Sequence, residues 1–167
     1  VTGDIYMEPT TGMAVYGKNK LVGFTKYRFH TLFPGLRQFV MHRFLRKRIG
    51  EELDTAVFFD SHLGKSYFHF YFDVLGSFWL LYNKGFIDRE IPILIGKGVY
   101  DTPHFQFVLR NTFLAELNWK VIPETRWLKV HELYIARNVF QRKAWDPTIQ
   151  YLNNVKVLPE RKVFLNR

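Results

Sequence analysis

His69 and Asp73 are the two residues whose types and spacing are best suited to chemistry. They stand four residues apart in SYFHFYFDVLGSFWLLYNKG, residues 66–85, a segment that is otherwise almost entirely apolar and aromatic. A carboxylate beside an imidazole can hold one tautomer of the ring and raise its basicity. A histidine held in this way can accept a proton from an attacking hydroxyl group, as a general base does.

The segment around this pair predicts a helix with one polar side. At about 3.6 residues per turn, a single face collects Ser66, His69, Asp73, Gly76 and Ser77. A narrow polar stripe ending in small residues is what a cleft-lining helix needs, because a ligand can approach there. The alternative is structural: the His and the Asp satisfy each other, and the small residues permit close helix packing.

The segments on either side predict the elements that position this helix. Strands are indicated by TAVFF (55–59), IPILIG (91–96), KVIP (120–123), WLKVHELYIAR (127–137) and RKVFLNR (161–167). Further helices are indicated by DTPHFQFVLRNTFLAELNW (101–119), with Thr102 as cap and Pro103 at the first position, and by DPTIQYLNN (146–154). Strands that alternate with helices need crossover connections. The prediction is therefore an α/β fold with a largely parallel sheet flanked by helices on both faces.

Residues 1–50 precede this pattern and predict an amino-terminal arm. Residues 1–32 are rich in Gly, Thr and Tyr and favour short strands or an extended arm. LRQFVMHRFLRKRIG (36–50) then predicts an amphipathic helix with a strongly basic flank over residues 37–48. Such a helix suits an anionic membrane or nucleic acid, whereas the simpler interpretation is a solvated or packed face. Residues 51–160 form the α/β domain of this interpretation, and 161–167 begin a second domain.

Composition narrows the classes of partner and of site. The chain has 24 Lys and Arg against 15 Asp and Glu, a formal charge of +9, which favours an anionic partner. It has no cysteine, so disulfides, thiolate zinc sites and thiol nucleophiles are excluded. No signal-peptide pattern opens the sequence, and polar residues interrupt its longest apolar run. Because it starts with Val and stops directly after a strand-like run, we expect it to be part of a longer protein.

Metal binding is not expected from the histidine spacing. Asp60, His62 and His69 fall within ten residues, but their spacing fits no recognised His and carboxylate signature. The first two are interpreted as loop residues that precede the helix. The remaining histidines are assigned to ordinary surface or core positions: His30, His42, His104 and His131.

Residues 55–137 resemble the amino-terminal half of the family 61 glycosyltransferases, which include many bacterial capsular-polysaccharide biosynthesis proteins. The resemblance starts with residues 66–85, similar to the family's helix in which His and an acid are separated by three residues. It continues in register through IPILIG, residues 104–123 and WLKVHELYIAR, and RKVFLNR is similar to the strand and Arg that open the family's second half. The chain departs from the family pattern at residues 76 and 77, where Pro and Arg are common.

The resemblance implies a function and an architecture. It implies the acceptor-side, Rossmann-like half of a two-domain transferase of the B type, with most of the donor-binding half lying beyond this chain. The implied reaction is inverting transfer of a sugar from a nucleotide sugar to a glycan or lipid-linked glycan, in surface polysaccharide biosynthesis. No metal or other cofactor is expected, since Arg and helix N-termini can stabilise a diphosphate. The implied location is cytoplasmic, at the inner face of the membrane if the basic helix binds acidic lipid.

The resemblance also suggests roles for individual residues. By matching position, His69 is the expected base, Asp73 the acid that orients it, and Arg167 a contact to the donor diphosphate. The polar stripe then supplies the acceptor cleft through Ser66, Gly76 and Ser77. Two alternatives remain open: a non-catalytic carbohydrate- or phosphate-binding module of the same fold, and a nucleic-acid binder that uses residues 37–48.

Overall fold

The computed structural model describes residues 1–8, 14–17, 20–21, 49–59, 65–122 and 126–136. For residues 20, 21, 72 and 73 it describes the backbone and not the side chains. Several predicted features lie outside the described residues, namely the basic helix 37–48, the helix 146–154, the strand 161–167, and residues Asp60, His62 and Arg167.

One mixed sheet runs through the described residues. Its strands are β1 (Thr2–Met7), β2 (Ala14–Tyr16), β3 (Lys20–Leu21), β4 (Ile49–Phe58), β5 (Ile93–Gly96), β6 (Trp119–Ile122) and β7 (Trp127–Ile135). The seven strands lie in the order β3-β2-β1-β7-β4-β5-β6. Strands β7, β4, β5 and β6 are parallel neighbours. Strand β1 pairs antiparallel with β7, and β2 and β3 continue antiparallel from it.

Helices occupy the connections from β4 to β5 and from β5 to β6, as in an α/β fold, whereas only residues 123–126 separate β6 from β7. Between β4 and β5 the chain forms α1 (Tyr67–His69), a π-helical turn (Phe70–Val74) and α2 (Leu75–Asn83), which together make one long helix over residues 67–83. Between β5 and β6 it forms α3 (Lys97–Tyr100), α4 (Pro103–Arg110) and a 3₁₀ turn (Phe113–Glu116). None of the described helices is long and apolar enough to cross a membrane.

Helix α4 starts as its sequence predicts. The Thr102 hydroxyl accepts a hydrogen bond from the Phe105 amide at 3.4 Å, and Pro103 occupies the first turn, where its missing N–H costs nothing. The predicted helix 101–119 nevertheless ends at Arg110. A second capping residue, Thr112, accepts from the Leu114 amide and starts the 3₁₀ turn instead.

The long helix ends in a turn that requires a glycine. Gly85 has a φ of +74°, a left-handed conformation that costs residues with a Cβ about 1–2 kcal/mol. It allows the Phe86 amide to donate to the Leu81 carbonyl at 3.0 Å and the Gly85 amide to the Tyr82 carbonyl at 2.9 Å. These two bonds satisfy carbonyls that would otherwise be left open at the helix end.

The sheet separates two apolar clusters, because successive strand residues point to opposite faces. On β5, Ile93 and Ile95 face the helices, whereas Leu94 faces the other side. The helix-side cluster is built around Phe59, Phe70, Phe78 and Phe105. On the other face, Leu94 packs in a cluster that includes residues of β1 and β2. Within the described residues, the helices therefore cover one face of the sheet, whereas the sequence predicted helices on both faces.

Strand β4 begins six residues earlier than the predicted TAVFF strand, because its polar first half pairs with β7. Glu52 Oε1 lies 2.7 Å from Lys129 Nζ and 2.6 Å from His131 Nε2. Asp4 of β1 lies 3.2 Å from the same lysine. Cross-strand pairs of opposite charge stabilise neighbouring strands even where no apolar alternation marks them in the sequence.

Candidate functional site

The long helix starts at the carboxyl edge of the parallel strands. Strands β4 and β5 end at Phe58 and Gly96, and since they are parallel, the segments that follow them meet at the same edge. Lys65, just before the helix, extends across Gly98, just after β5: a Cβ at Gly98 would stand 2.3 Å from Lys65 Cε. This close approach places the first turn of the long helix beside α3.

A cluster of rings joins the first turn of the long helix to the first turn of α4. The Phe70 and His104 ring centroids are 4.7 Å apart, and Tyr67 meets His104 at 6.0 Å, nearly perpendicular. Tyr67 also packs against Tyr71 at 4.7 Å. Phe70 in turn stands perpendicular to Phe105, which is fully buried. The edge-to-face contacts hold the two helix starts in a fixed relation.

This edge is also where the strand order reverses. From β4 the chain moves to β5 and then β6 on one side, whereas β7 lies on the other side of β4. In open α/β sheets, ligands bind outside the carboxyl ends of the strands at such a reversal. The described wall of this position consists of the first turn of the long helix with α3 and the start of α4.

His69 occupies this first turn with its side chain partly exposed. Its ring meets Phe68 edge-to-face, with centroids 5.6 Å apart. Ser66, which precedes the helix, is exposed and makes no capping hydrogen bond with its side chain. The backbone of Asp73 lies in the π-helical turn. Its side chain is outside the description, so the pairing of Asp73 with His69 stays a prediction.

The π-helical turn changes how the polar stripe is arranged. It lies between His69 and Gly76, and hydrogen bonds from i to i+5 shift the register assumed at about 3.6 residues per turn. Gly76 and Ser77 are buried, Ser77 with 8% exposure. The stripe thus begins at the surface and ends inside, and the assignment of residues 76 and 77 to an acceptor cleft stays a prediction.

Gly76 does not mark a tight contact. Outside the nearby backbone of its own helix, a Cβ at this position would meet no heavy atom of the described residues within 4 Å. The close helix packing offered as a structural explanation for this glycine therefore finds no support there. Single π-helical turns within α-helices occur frequently at functional sites, and this one lies directly after His69.

The tyrosine pair beside His69 has its own electrostatics. The pKa of Tyr71 is raised to about 12, first by burial and then by the charge of the nearby Tyr67 and a hydrogen bond to it. The hydrogen bond between the two hydroxyls thus favours the protonated form of Tyr71. This bond fixes Tyr67 in addition to the ring contact between the two residues.

Three residues of this edge were not selected from the sequence: Tyr67, Tyr71 and His104. His104 had been assigned to an ordinary surface or core position. The available signal was its place at the start of a capped helix in the connection that follows a buried strand, because ligand contacts gather near the carboxyl ends of parallel strands. The two tyrosines carried no such signal, because the contact of Tyr67 with α4 depends on packing between segments distant in sequence and Tyr71 packs on Tyr67.

One ion pair lies at the same edge of the sheet. Lys97 forms an ion pair with Asp101 one turn later on the exposed side of α3. Within the described part of the chain, no group of three or more His, Asp or Glu side chains is arranged to hold a metal ion.

No family model matches this chain, and no curated protein and no solved structure is significantly similar to it.

Proposed function

We propose that this chain is the acceptor-side half of an inverting, nucleotide-sugar-dependent glycosyltransferase of surface polysaccharide biosynthesis. The observation that carries the proposal is the place of His69. It lies partly exposed in the first turn after β4, at the carboxyl edge, beside the reversal of strand order. A base in that position can meet a substrate hydroxyl without any change of fold.

The strand order supports the Rossmann-like part of this proposal. If β4 is taken as the first strand, the second lies beside it, the third beyond that, and the fourth returns on its other side. The first half of a doubly wound nucleotide-binding fold has the same order, but its third and fourth strands are joined by a longer crossover than residues 123–126, which separate β6 from β7. A B-type transferase has two such halves, and β1–β3 would then be an antiparallel extension of one of them.

The proposed reaction is a single displacement. His69 accepts the proton of an acceptor hydroxyl while its oxygen forms a bond to the anomeric carbon of the donor. The bond from that carbon to the diphosphate breaks, and the nucleoside diphosphate leaves with the electron pair. Asp73 orients the imidazole, and Arg167 contacts the departing diphosphate. No metal is required for these steps.

A donor screen tests the proposal. The protein, extended by the sequence that follows Arg167, is incubated with a panel of nucleotide sugars and surface-glycan fragments, and nucleoside diphosphate release is measured. Release that depends on the acceptor, with inverted anomeric configuration in the product by NMR, is expected. Retained configuration, or no acceptor-dependent release with any donor, would overturn it. A purely binding module would take up glycan without releasing nucleotide.

A further inference from the structure

Tyr67 and Phe68 are exposed to an extent that folding does not explain. Their side chains are 68% and 54% exposed, the highest values among the described aromatic residues. Apolar surface left in water forgoes about 25 cal/mol for each Å² that could have been buried. Single exposed apolar residues are ordinary, but these are consecutive and stand at the edge where a ligand would bind.

Both rings are nevertheless held in place. Tyr67 packs against Tyr71 at 4.7 Å with an interplanar angle of 56° and contacts His104 from the side. Phe68 meets the His69 ring at 5.6 Å and 84°. Rings that are fixed before binding lose little conformational freedom when a ligand arrives, so a larger share of the contact energy appears as affinity.

The surroundings of the two rings are polar. Ser66 precedes them, His69 follows them, and His104 contacts Tyr67. Hydroxyl and imidazole groups can both donate and accept hydrogen bonds. A surface made for an apolar protein segment or a lipid chain would gain nothing from these groups. A ligand that has one apolar face and several hydroxyls would use both kinds of contact.

We propose that Tyr67 and Phe68 form an aromatic platform on which a pyranose ring of a glycan stacks. The C–H groups on one face of a pyranose carry partial positive charge and meet the negative face of an aromatic ring. The hydroxyls at the rim of the sugar reach the flanking polar side chains. The assignment of this sugar to the acceptor rests on the proposed function, whereas the binding of pyranose rings does not.

The platform is tested by sugar binding alone. Methyl pyranosides of glucose, galactose, mannose and N-acetylglucosamine are titrated into the protein and followed by saturation-transfer and chemical-shift NMR. At least one should bind the wild type, and Tyr67→Ala and Phe68→Ala should each weaken it about tenfold, as expected for an aromatic anchor. Phe107→Ala, which removes an aromatic ring 43% exposed on α4, is the matched control and should leave affinity unchanged.

A second variant separates stacking from the hydroxyl contact. Tyr67→Phe keeps the ring and should bind within about twofold of the wild type, on the scale where tenfold equals about 1.4 kcal/mol. Binding of no pyranoside, or wild-type affinity in both alanine variants, would overturn the platform. The assay contains no nucleotide sugar, so failure of the transferase proposal does not affect it. An active transferase whose KM is unchanged in both alanine variants would reject the platform alone.

Discussion

At the scale of single residues, the ionisation of Tyr71 should make the stability of the protein depend on alkaline pH. Its pKa is raised from an ordinary 10.0 to about 12, first by burial and then by Tyr67. The unfolded chain therefore loses this proton before the folded chain does. The contribution of the protonated Tyr71 to the free energy of unfolding is complete below pH 10.0 and is lost as the pH rises towards about 12.

Chemical denaturation of wild type and Tyr71→Phe at a series of alkaline pH values measures this effect. The wild type should lose more of its free energy of unfolding than the variant over that interval. If the free energy of unfolding depended equally on pH in the two proteins, Tyr71 would ionise with its ordinary pKa. Tyr67→Phe, which removes the hydrogen-bond partner, should lie between them.

Gly76 offers a test of the space around the buried end of the stripe. Because an added Cβ meets nothing within 4 Å among the described residues outside the nearby helix backbone, Gly76→Ala should keep the fold and gain about 1 kcal/mol from helix propensity. Gly85→Ala is the control: at a φ of +74° it should lose roughly 1 kcal/mol or more. Denaturant unfolding measures both changes. Destabilisation by Gly76→Ala would show that the space is filled.

Sequence reasoning at this scale selected His69 as a candidate, because a His and an acid at helical spacing in an apolar segment are conspicuous. It did not find His104 or Tyr71. The relation of His104 to the first turn of the long helix depends on its contact with Phe70, which joins segments more than 30 residues apart and is not contained in the spacing along the chain. Tyr71 packs on Tyr67 four residues earlier in the same helix, but an apolar and aromatic segment gives no reason to select this pair.

At the scale of elements, a group of charges joins three strands. Glu52 of β4 lies against Lys129 and His131 of β7, and Asp4 of β1 approaches the same lysine. Hydrogen bonds from Lys129 and, to a smaller extent, from His131 lower the pKa of Glu52. The same hydrogen bond between Lys129 and Glu52 raises the pKa of Lys129. The group therefore holds β1 to the parallel strands over a wide interval of neutral pH.

The next prediction concerns the loss of stability at the acid end of this pH interval. A lowered pKa means that the stability from Glu52 is present above its ordinary value of 4.5 and is lost as the pH falls through the folded-state value below it. The free energy of unfolding of Glu52→Gln should therefore depend less on pH in that region than that of the wild type. Glu90→Gln, an exposed glutamate in the loop before β5, is the control. Parallel curves for wild type and Glu52→Gln would contradict the assignment.

Elements were predictable where local chemistry specifies them. Thr102 and Pro103 marked the start of α4, and IPILIG marked β5. The π-helical turn was not predictable, because residues 70–74 are apolar or aromatic on nearly every side and show no preferred period. The early start of β4 was missed for a different reason: its first half is stabilised by charge pairs with β7 and not by an alternating apolar pattern.

At the scale of the whole molecule, the alternation of strands and helices predicted the α/β class and the parallel neighbours β4, β5 and β6. The same reasoning predicted short strands or an extended arm for residues 1–32. In the structure, β1 pairs with β7, more than 100 residues away in sequence, and β2 and β3 extend the sheet. Such pairing depends on which edge of the sheet is free, and this is decided only when the sheet assembles.

The proposed function also belongs to the whole molecule, since the donor half of a B-type transferase would follow this chain. The charge of +9 is compatible with a nucleotide sugar, with acidic lipid and with nucleic acid. The last two alternatives depend on residues 37–48, outside the described residues. The transferase proposal instead depends on the carboxyl edge of the sheet, and within it on His69.

The most direct test of this account is acceptor-dependent turnover by His69→Ala in the protein extended beyond Arg167. Loss of a positioned base should slow turnover by roughly a hundredfold or more, with Asp73→Asn slowed in the same direction. His131→Ala, which removes a partly exposed imidazole on β7, should turn over like the wild type. Normal turnover by a folded His69→Ala protein would contradict the account.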